Sequence, residues 1–422
     1  MTNILPFKGL RFDVSKTDLK DILVPPYDVV QPEERSLYYE RSPYNAIRLE
    51  LTRDKSDEDL TDYSEVRQTL DNWRNEAVLL RDETPLYYAL RQRFQSSEGD
   101  SYQRLGFFGA LRLEPYANSI VLPHERTLAG PKRDRLKILR ATQANMSSVM
   151  MLYEDREDTL CSVLDQALCG AEAVRAIDDS GINHTFCPLR DPEMISEVTS
   201  FMANRQVVIA DGHHRYETAL TYRDERRSEG STELDVEQPW DRTLAYFTNA
   251  FSEGSLLLPI HRLLKDVRVP RLNEWKSLLP NWSMLEVRLS SPDNLDSILN
   301  DYLSPLKDRP AFAADDGTGS LLIFHRNPSA SVSIRVIHEE VIEGALGLSE
   351  SAVRDGALGF KKSVKIAARE VRRGSAALGL YLNALTPDDV FRVTRSGDVL
   401  PQKSTFFYPK LPSGLVFRPH EV

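Results

Sequence analysis

The stretch RQVVIADGHHRYETALTYRDER, residues 205–226, changes character in its middle. Val207, Val208, Ile209 and Ala210 make a short apolar run bounded by turn residues, the pattern of a buried strand. After Asp211 and Gly212 the chain turns polar and reads as a helix. Asp211 stands where a helix N-cap belongs, and Gly212 permits a tight turn and the close approach of other groups.

The first turn of this helix carries His213, His214 and Arg215. Cations at a helix N-terminus oppose the macrodipole and cost roughly 0.3–1 kcal/mol unless an anion is present. Unpaired amides together with these donors make an anion site, with phosphate the natural ligand. The plain alternative is a pair of histidines packed as ordinary core or surface residues. His213 and Glu217 share a helix face near Asp211, but no third ligand follows at zinc spacing. Magnesium held through Asp211 and the phosphates of a nucleotide suits the residues better, since magnesium takes few protein carboxylates.

Working outward, the sequence divides into three segments. Residues 1–110 read as α+β: a proline-rich turn at VPPYDVV, a strand-like PYNAIRLEL, a helix at LTDYSEVRQTLDNWRNEAVL, and a hairpin through SSEGDS. Residues 111–265 hold a strand ending at LPHERT, a basic helix from about Lys132 to Thr142, two further helices, and the opening stretch. Residues 266–422 add the hairpin AFAADDGTGSLLIFHR, helices at IHEEVIEGALG and SVKIAAREVRRG, and a closing SGDVLPQKSTFFYPKLPSG. The expected fold class is α/β (α+β), a central domain elaborated by α+β segments on either side.

Composition narrows the function classes. A net charge of −10 argues against a broad nucleic-acid surface while leaving room for a local basic pocket. Cys161, Cys169 and Cys187 fit neither a disulfide framework nor metal spacing. The N-terminus lacks a signal-peptide pattern and no apolar run reaches membrane length, so a cytoplasmic protein with no membrane partner is expected. A homo-oligomer is left open.

Two more constellations carry chemistry. In LPHERT, His124 and Glu125 follow an apolar strand and project from its end. Glu125 is a candidate general base for a hydroxyl, with an ordinary exposed glutamate as the alternative. Lys132, Arg133, Arg135 and Lys137 follow at helical spacing, mostly as a solvated face with one available to clamp a phosphate. In PQKSTFFYPK, Lys403, Ser404 and Thr405 suit phosphate oxygens, with Lys410 close behind, although no P-loop motif is present. Neither GxGxxG after a strand nor GxSxG occurs.

Asp211-Gly212-His213-His214-Arg215 after a strand resembles the signature of the ParB/sulfiredoxin superfamily, in particular its free-serine kinases. PFKGLRFD, VPPYDVV, LPHERT, DGHHRYET, LPIHRLL and QKSTFFYPK are similar from end to end to a bacterial family described as SpoOJ/ParA/ParB/RepB-like. The resemblance implies a ParB/sulfiredoxin-like domain over 111–265, containing both LPHERT and DGHHR. It also implies a nucleotide-binding phosphotransferase, a kinase of a free serine-like acceptor using ATP or ADP with magnesium. Gly212, His213, His214 and Arg215 would hold the phosphate, Asp211 would orient the site or hold magnesium, and Glu125 would be the base. His124, Thr127, His261, Arg262, Lys403, Ser404, Thr405 and Lys410 are additional candidates. The runner-up is a nucleotide-binding or nucleotide-hydrolysing regulatory protein, and a ParB-like DNA-binding protein ranks last. His213 stands where sulfiredoxins place a reactive cysteine, which argues against thiol repair. No helix-turn-helix accompanies the motif, and Glu125 lies farther upstream of Asp211 than the kinase pattern has it.

Overall fold

The computed structural model describes residues 2–53, 62–96, 99–125, 129–229 and 236–421. It divides into two compact units. The first contains Met1–Pro123, Thr127–Leu256 and Pro409–Val422, and the second contains His124–Arg126 and Leu257–Tyr408. This partition differs from three consecutive segments. LPHERT is split across the division, and the C-terminal stretch from Pro409 returns to the first unit.

The first unit is built on a mixed nine-stranded sheet. Its strand order is Val121–Leu122, Val207–Asp211, Val149–Tyr153, Arg242–Asn249, Ser101–Arg112, Tyr87–Gln95, Asn183–Leu189 and Val174–Ile177. Ile4–Leu5 pairs with Leu111 and Ala110 of the long Ser101–Arg112 strand. Alternation assigns the two faces. Tyr87, Ala89, Phe107, Val149, Met151, Val207, Ile209, Ala245 and Phe247 point into one apolar layer. Leu160, Val163 and Leu164, Val198 and Met202, and Tyr216 and Ala219 pack into that layer from three helical segments. A second core joins Leu10, Phe12, Val66, Leu70 and Trp73 to Phe417 of the returning C-terminal stretch.

The helix at Ser64–Asn75 and the hairpin Tyr87–Gln95 with Ser101–Arg112 follow the sequence periodicity. PYNAIRLEL does not. Its apolar half, Ile47–Glu50, is one helical turn whose Ile47, Leu49 and Glu50 are all buried. The Asn45 side chain causes this: its carbonyl accepts from Ile47 N at 3.0 Å and its amide donates to Asp21 O at 2.7 Å. Such local side-chain-to-backbone bonding competes with strand pairing. Arg135 corrects a second expectation, because it is 5% exposed and lies on no solvated face.

The second unit has a six-stranded sheet, ordered Ser283–Arg288, Ser320–His325, Ala311–Asp315, Leu378–Leu382, His261–Leu264 and Leu358–Lys361. Its core gathers Leu263, Ala311, Ala313, Leu321, Ile323 and Tyr381 against Ala367, Ala368 and Val371. IHEEVIEGALG is helical as expected, but Ile337–Ala345 is wound as a π-helix.

Candidate anion-binding site

The opening stretch folds as a strand, Val207–Asp211, followed at once by a 17-residue helix, His213–Glu229. Register shifts between Ile209 and Asp211, where Ile209 faces Met151 and Asp211 faces Met150. Alternation alone would point Asp211 into the apolar layer with Val207 and Ile209. The irregularity re-aims it, as bulges commonly do at strand ends.

Gly212, not Asp211, occupies the N-cap position, since Tyr216 N donates to Gly212 O at 3.0 Å. Its φ is +90°. A Cβ at this position would lie 2.9 Å from Arg215 Nε and 3.0 Å from its Cζ and Nη2. The backbone conformation favours glycine, and a Cβ would also push on the guanidinium lying against it.

Asp211 is clasped on both oxygens. Arg215 Nη2 donates to Oδ2 at 2.6 Å and Lys410 Nζ donates to Oδ1. Burial alone would raise the Asp211 pKa, but Lys410 and Arg215, with His213 adding, hold it well below the usual carboxylate range. Arg215 Nη1 also donates to Ser148 O, while its Nε is buried with no hydrogen-bond partner among the described residues. His213 is buried at the helix start and His214 is half-buried.

Three supporting features were not legible from sequence. Gln92 and Arg104, both fully buried, are linked by Arg104 Nε donating to Gln92 Oε1 at 3.0 Å. Gln92 Nε2 donates to Lys410 O at 3.3 Å, which ties the C-terminal stretch to the sheet. Beside them, the half-buried ring of Tyr27, from VPPYDVV, has the Arg135 guanidinium 4.0 Å and that of Arg215 6.0 Å from its centroid. Arg135 in turn pairs with Asp134 at 2.7 Å and Glu50 at 3.2 Å. Gln92 sits among Arg91, Arg93 and Gln95, and Arg104 follows Gln103, so neither stood out in sequence as a buried polar residue.

The remaining candidates lie in the second unit, except Thr127, which is outside the described residues. There His124 and Glu125 meet Leu400 and Thr405. Leu400 N donates to His124 O at 2.8 Å, and Glu125 bridges Leu400 in parallel. His124 Nε2 lies 2.7 Å from Thr405 Oγ1 and 3.4 Å from Glu125 Oε1. Arg262, fully buried, donates from Nη1 to Ile260 O and Lys403 O, both at 3.0 Å, and from Nε to His338 Nε2 at 3.3 Å. Burial pushes the Arg262 pKa down to about 9, against the Glu125 charge. Lys403 adopts a φ of +55° and Ser404 Oγ donates to Pro401 O at 2.5 Å. His261 accepts from Leu382 N at Nδ1, and its Nε2 is buried without a partner among the described residues. Burial and then Arg262 lower its pKa to about 4.

Magnesium does not fit Asp211 in this arrangement. Each carboxylate oxygen already faces a cation. Unit charges 4 Å apart at an effective dielectric of 20 repel by about 4 kcal/mol, and a divalent ion doubles that. Among the described residues, no group of three or more His, Cys, Asp or Glu side chains is arranged to hold a metal. None of the described helices is long and apolar enough to cross a membrane.

The fold is mixed α/β, with a strand-to-helix junction that gathers cationic side chains in the first unit. The chain belongs to the family described as "protein of unknown function (DUF1015)", whose model matches residues 4–295. No curated protein matches the sequence. Among solved structures, a conserved hypothetical protein from Pyrococcus furiosus is similar at 13% identity and a TM-score of 0.34, over 73% of this chain and 93% of that one. A free serine kinase in complex with AMP is similar at 12% identity and a TM-score of 0.32, over 72% and 86%. SbnI from Staphylococcus aureus, with a C-terminal truncation, is similar at 8% identity and a TM-score of 0.30, over 74% and 81%.

Proposed function

We propose that the chain binds the phosphate of a nucleotide, ATP or ADP, at the start of the His213–Glu229 helix and acts as a phosphotransferase on a small hydroxyl compound, free serine or a relative. One observation carries the reading. The glycine N-cap, His213, His214, Arg215 and Lys410 all gather at the positive end of a 17-residue helix, where one carboxylate answers two cations. The resemblance of DGHHR to the free-serine kinases supplies the nucleotide and the acceptor class.

In this reaction the acceptor oxygen attacks phosphorus, the bond to the bridging oxygen breaks, and the nucleotide leaves with one phosphate fewer. The hydroxyl proton goes to a carboxylate, a role assigned to Glu125 by resemblance. The cationic set at the helix start positions the phosphate and stabilises its developing charge, the main protein contribution to phosphoryl transfer. Magnesium would be carried on the nucleotide's own phosphates, because Asp211 is committed to Lys410 and Arg215.

The test is calorimetric titration with ADP and with adenosine, followed by an assay for serine-dependent phosphoserine formation from ATP or ADP. ADP should bind at least tenfold tighter than adenosine. Glu125→Gln should retain ADP affinity and lose turnover. ADP binding without any transfer would leave a nucleotide-binding regulatory protein, and equal binding of adenosine and ADP would remove the phosphate site.

A further inference from the structure

Ser283–Arg288 is an end strand of the second unit's six-stranded sheet, and among the described residues no strand pairs with its outer edge. Its inner edge runs in unbroken antiparallel register with Ser320–His325. Leu289 N donates to Gly319 O at 2.8 Å, which sets the direction of the peptide groups before it. Those directions alternate in an antiparallel ladder. Ser283, Leu285 and Val287 therefore turn their N–H and C=O groups inward, and Met284, Glu286 and Arg288 turn theirs outward. Open edges are commonly guarded by proline, lysine, a bulge or extreme shortness. SMLEVR runs for six residues with none of these devices.

The side chains carry a second pattern. Glu286 and Arg288 are exposed and share one face. Glu286 accepts from Ser320 Oγ at 2.7 Å, and Arg288 forms no ion pair among the described residues. On the other face Val287 and Leu289 pack on the core, yet Leu285 is 49% exposed. A second copy of the strand, arriving antiparallel about a two-fold axis, aligns its outward peptide groups only when the axis passes through a residue. An axis at Glu286 or at Arg288 sets like charges opposite each other. An axis at Leu285 sets Glu286 against Met284 and Arg288 against Trp282. An axis at Val287 sets Glu286 opposite Arg288 of the second copy, twice, and Leu285 opposite Leu289 of the second copy. Opposite charges attract in such cross-strand pairs, and the exposed leucine is covered in the same register. We propose that the Ser283–Arg288 edge is a homodimer surface, on which a second copy of the chain adds its own Ser283–Arg288 strand antiparallel about an axis at Val287. The interface is isologous, and the two six-stranded sheets become continuous across it.

Sedimentation velocity of the full chain over a concentration series is the test. A six-residue edge is a small interface, so dimer should appear in the micromolar range. Arg288→Glu alone, or Glu286→Arg alone, sets like charges opposite each other at both pairs and should weaken the dimer by about tenfold or more. Combining the two exchanges the charges and should restore wild-type association. Both side chains are exposed, so these variants keep the fold, with circular dichroism as the check. Val287→Cys, on the axis, should oxidise to a covalent dimer that neither the wild type nor Ser283→Cys forms. A chain that stays monomeric at its highest soluble concentration overturns the proposal. A dimer that the single reversals leave intact, or that the double exchange does not restore, also overturns it by assigning association to another surface or register.

Discussion

Replacing Gly212 by alanine separates backbone strain from displacement of Arg215. Gly212 has a φ of +90°, and holding a non-glycine residue in such a region costs about 1–3 kcal/mol. The new Cβ would lie 2.9–3.0 Å from the Arg215 guanidinium, so the side chain must shift away from Asp211 and Ser148. Losing a hydrogen bond between charged groups adds about 1.5–3 kcal/mol. Gly181 provides the control: its φ is +77°, yet a Cβ there would meet nothing within 4 Å. Alanine also restricts the unfolded chain by up to about 1 kcal/mol, an effect that cancels between the two variants. Urea unfolding followed by circular dichroism should therefore show Gly212→Ala less stable than Gly181→Ala by at least about 1.5 kcal/mol. Calorimetry should show ADP affinity reduced about tenfold in Gly212→Ala, equivalent to about 1.4 kcal/mol, and unchanged in Gly181→Ala. Equal stability losses in the two variants, or full ADP affinity in Gly212→Ala, would refute the reasoning that Arg215 depends on the missing side chain.

Two further outcomes follow from buried charges. Arg135 pairs with Glu50 and Asp134, which are 1% and 3% exposed, so Arg135→Met removes this cation from two buried carboxylates and should cost about 3–5 kcal/mol in urea unfolding. A loss below about 1 kcal/mol would show that this cluster is not buried in solution. His261 has a folded pKa near 4 against an ordinary 6.5, so the unfolded chain binds the extra proton first as pH falls. Its contribution is intact above about pH 6.5 and is lost progressively down to about pH 4, amounting to about 2 kcal/mol between pH 7 and pH 5. His261→Gln should flatten the pH dependence of stability by that amount, and an unchanged slope would assign the acid sensitivity elsewhere.

How far the sequence could be read depended on whether a feature was local. The junction at residues 205–226 was legible because strand, glycine and helix each announce themselves within a few residues, and the observed Val207–Asp211 and His213–Glu229 follow that pattern. The hairpins at 87–112 and 311–325 were legible for the same reason. PYNAIRLEL misled because the Asn45 side-chain bond to Ile47 N outweighs the alternation of Ile47, Leu49 and Leu51. Arg135 looked like one of a row of surface cations, and only the fold brings Glu50 and Asp134 to it. Lys410 was a candidate by residue type alone. Its pairing with Asp211 is a contact across 199 residues, which no local pattern encodes. The N-cap was misplaced by one position for a related reason: a register irregularity turns Asp211 away from the helix start toward Lys410.

The most direct measurement is a crystal structure of the chain grown with ADP. The account predicts phosphate oxygens within hydrogen-bond distance of the backbone amides at 213–215, with Arg215 still on Asp211. ADP bound away from the start of the His213–Glu229 helix, or a metal ion coordinated by Asp211 at that site, would contradict it.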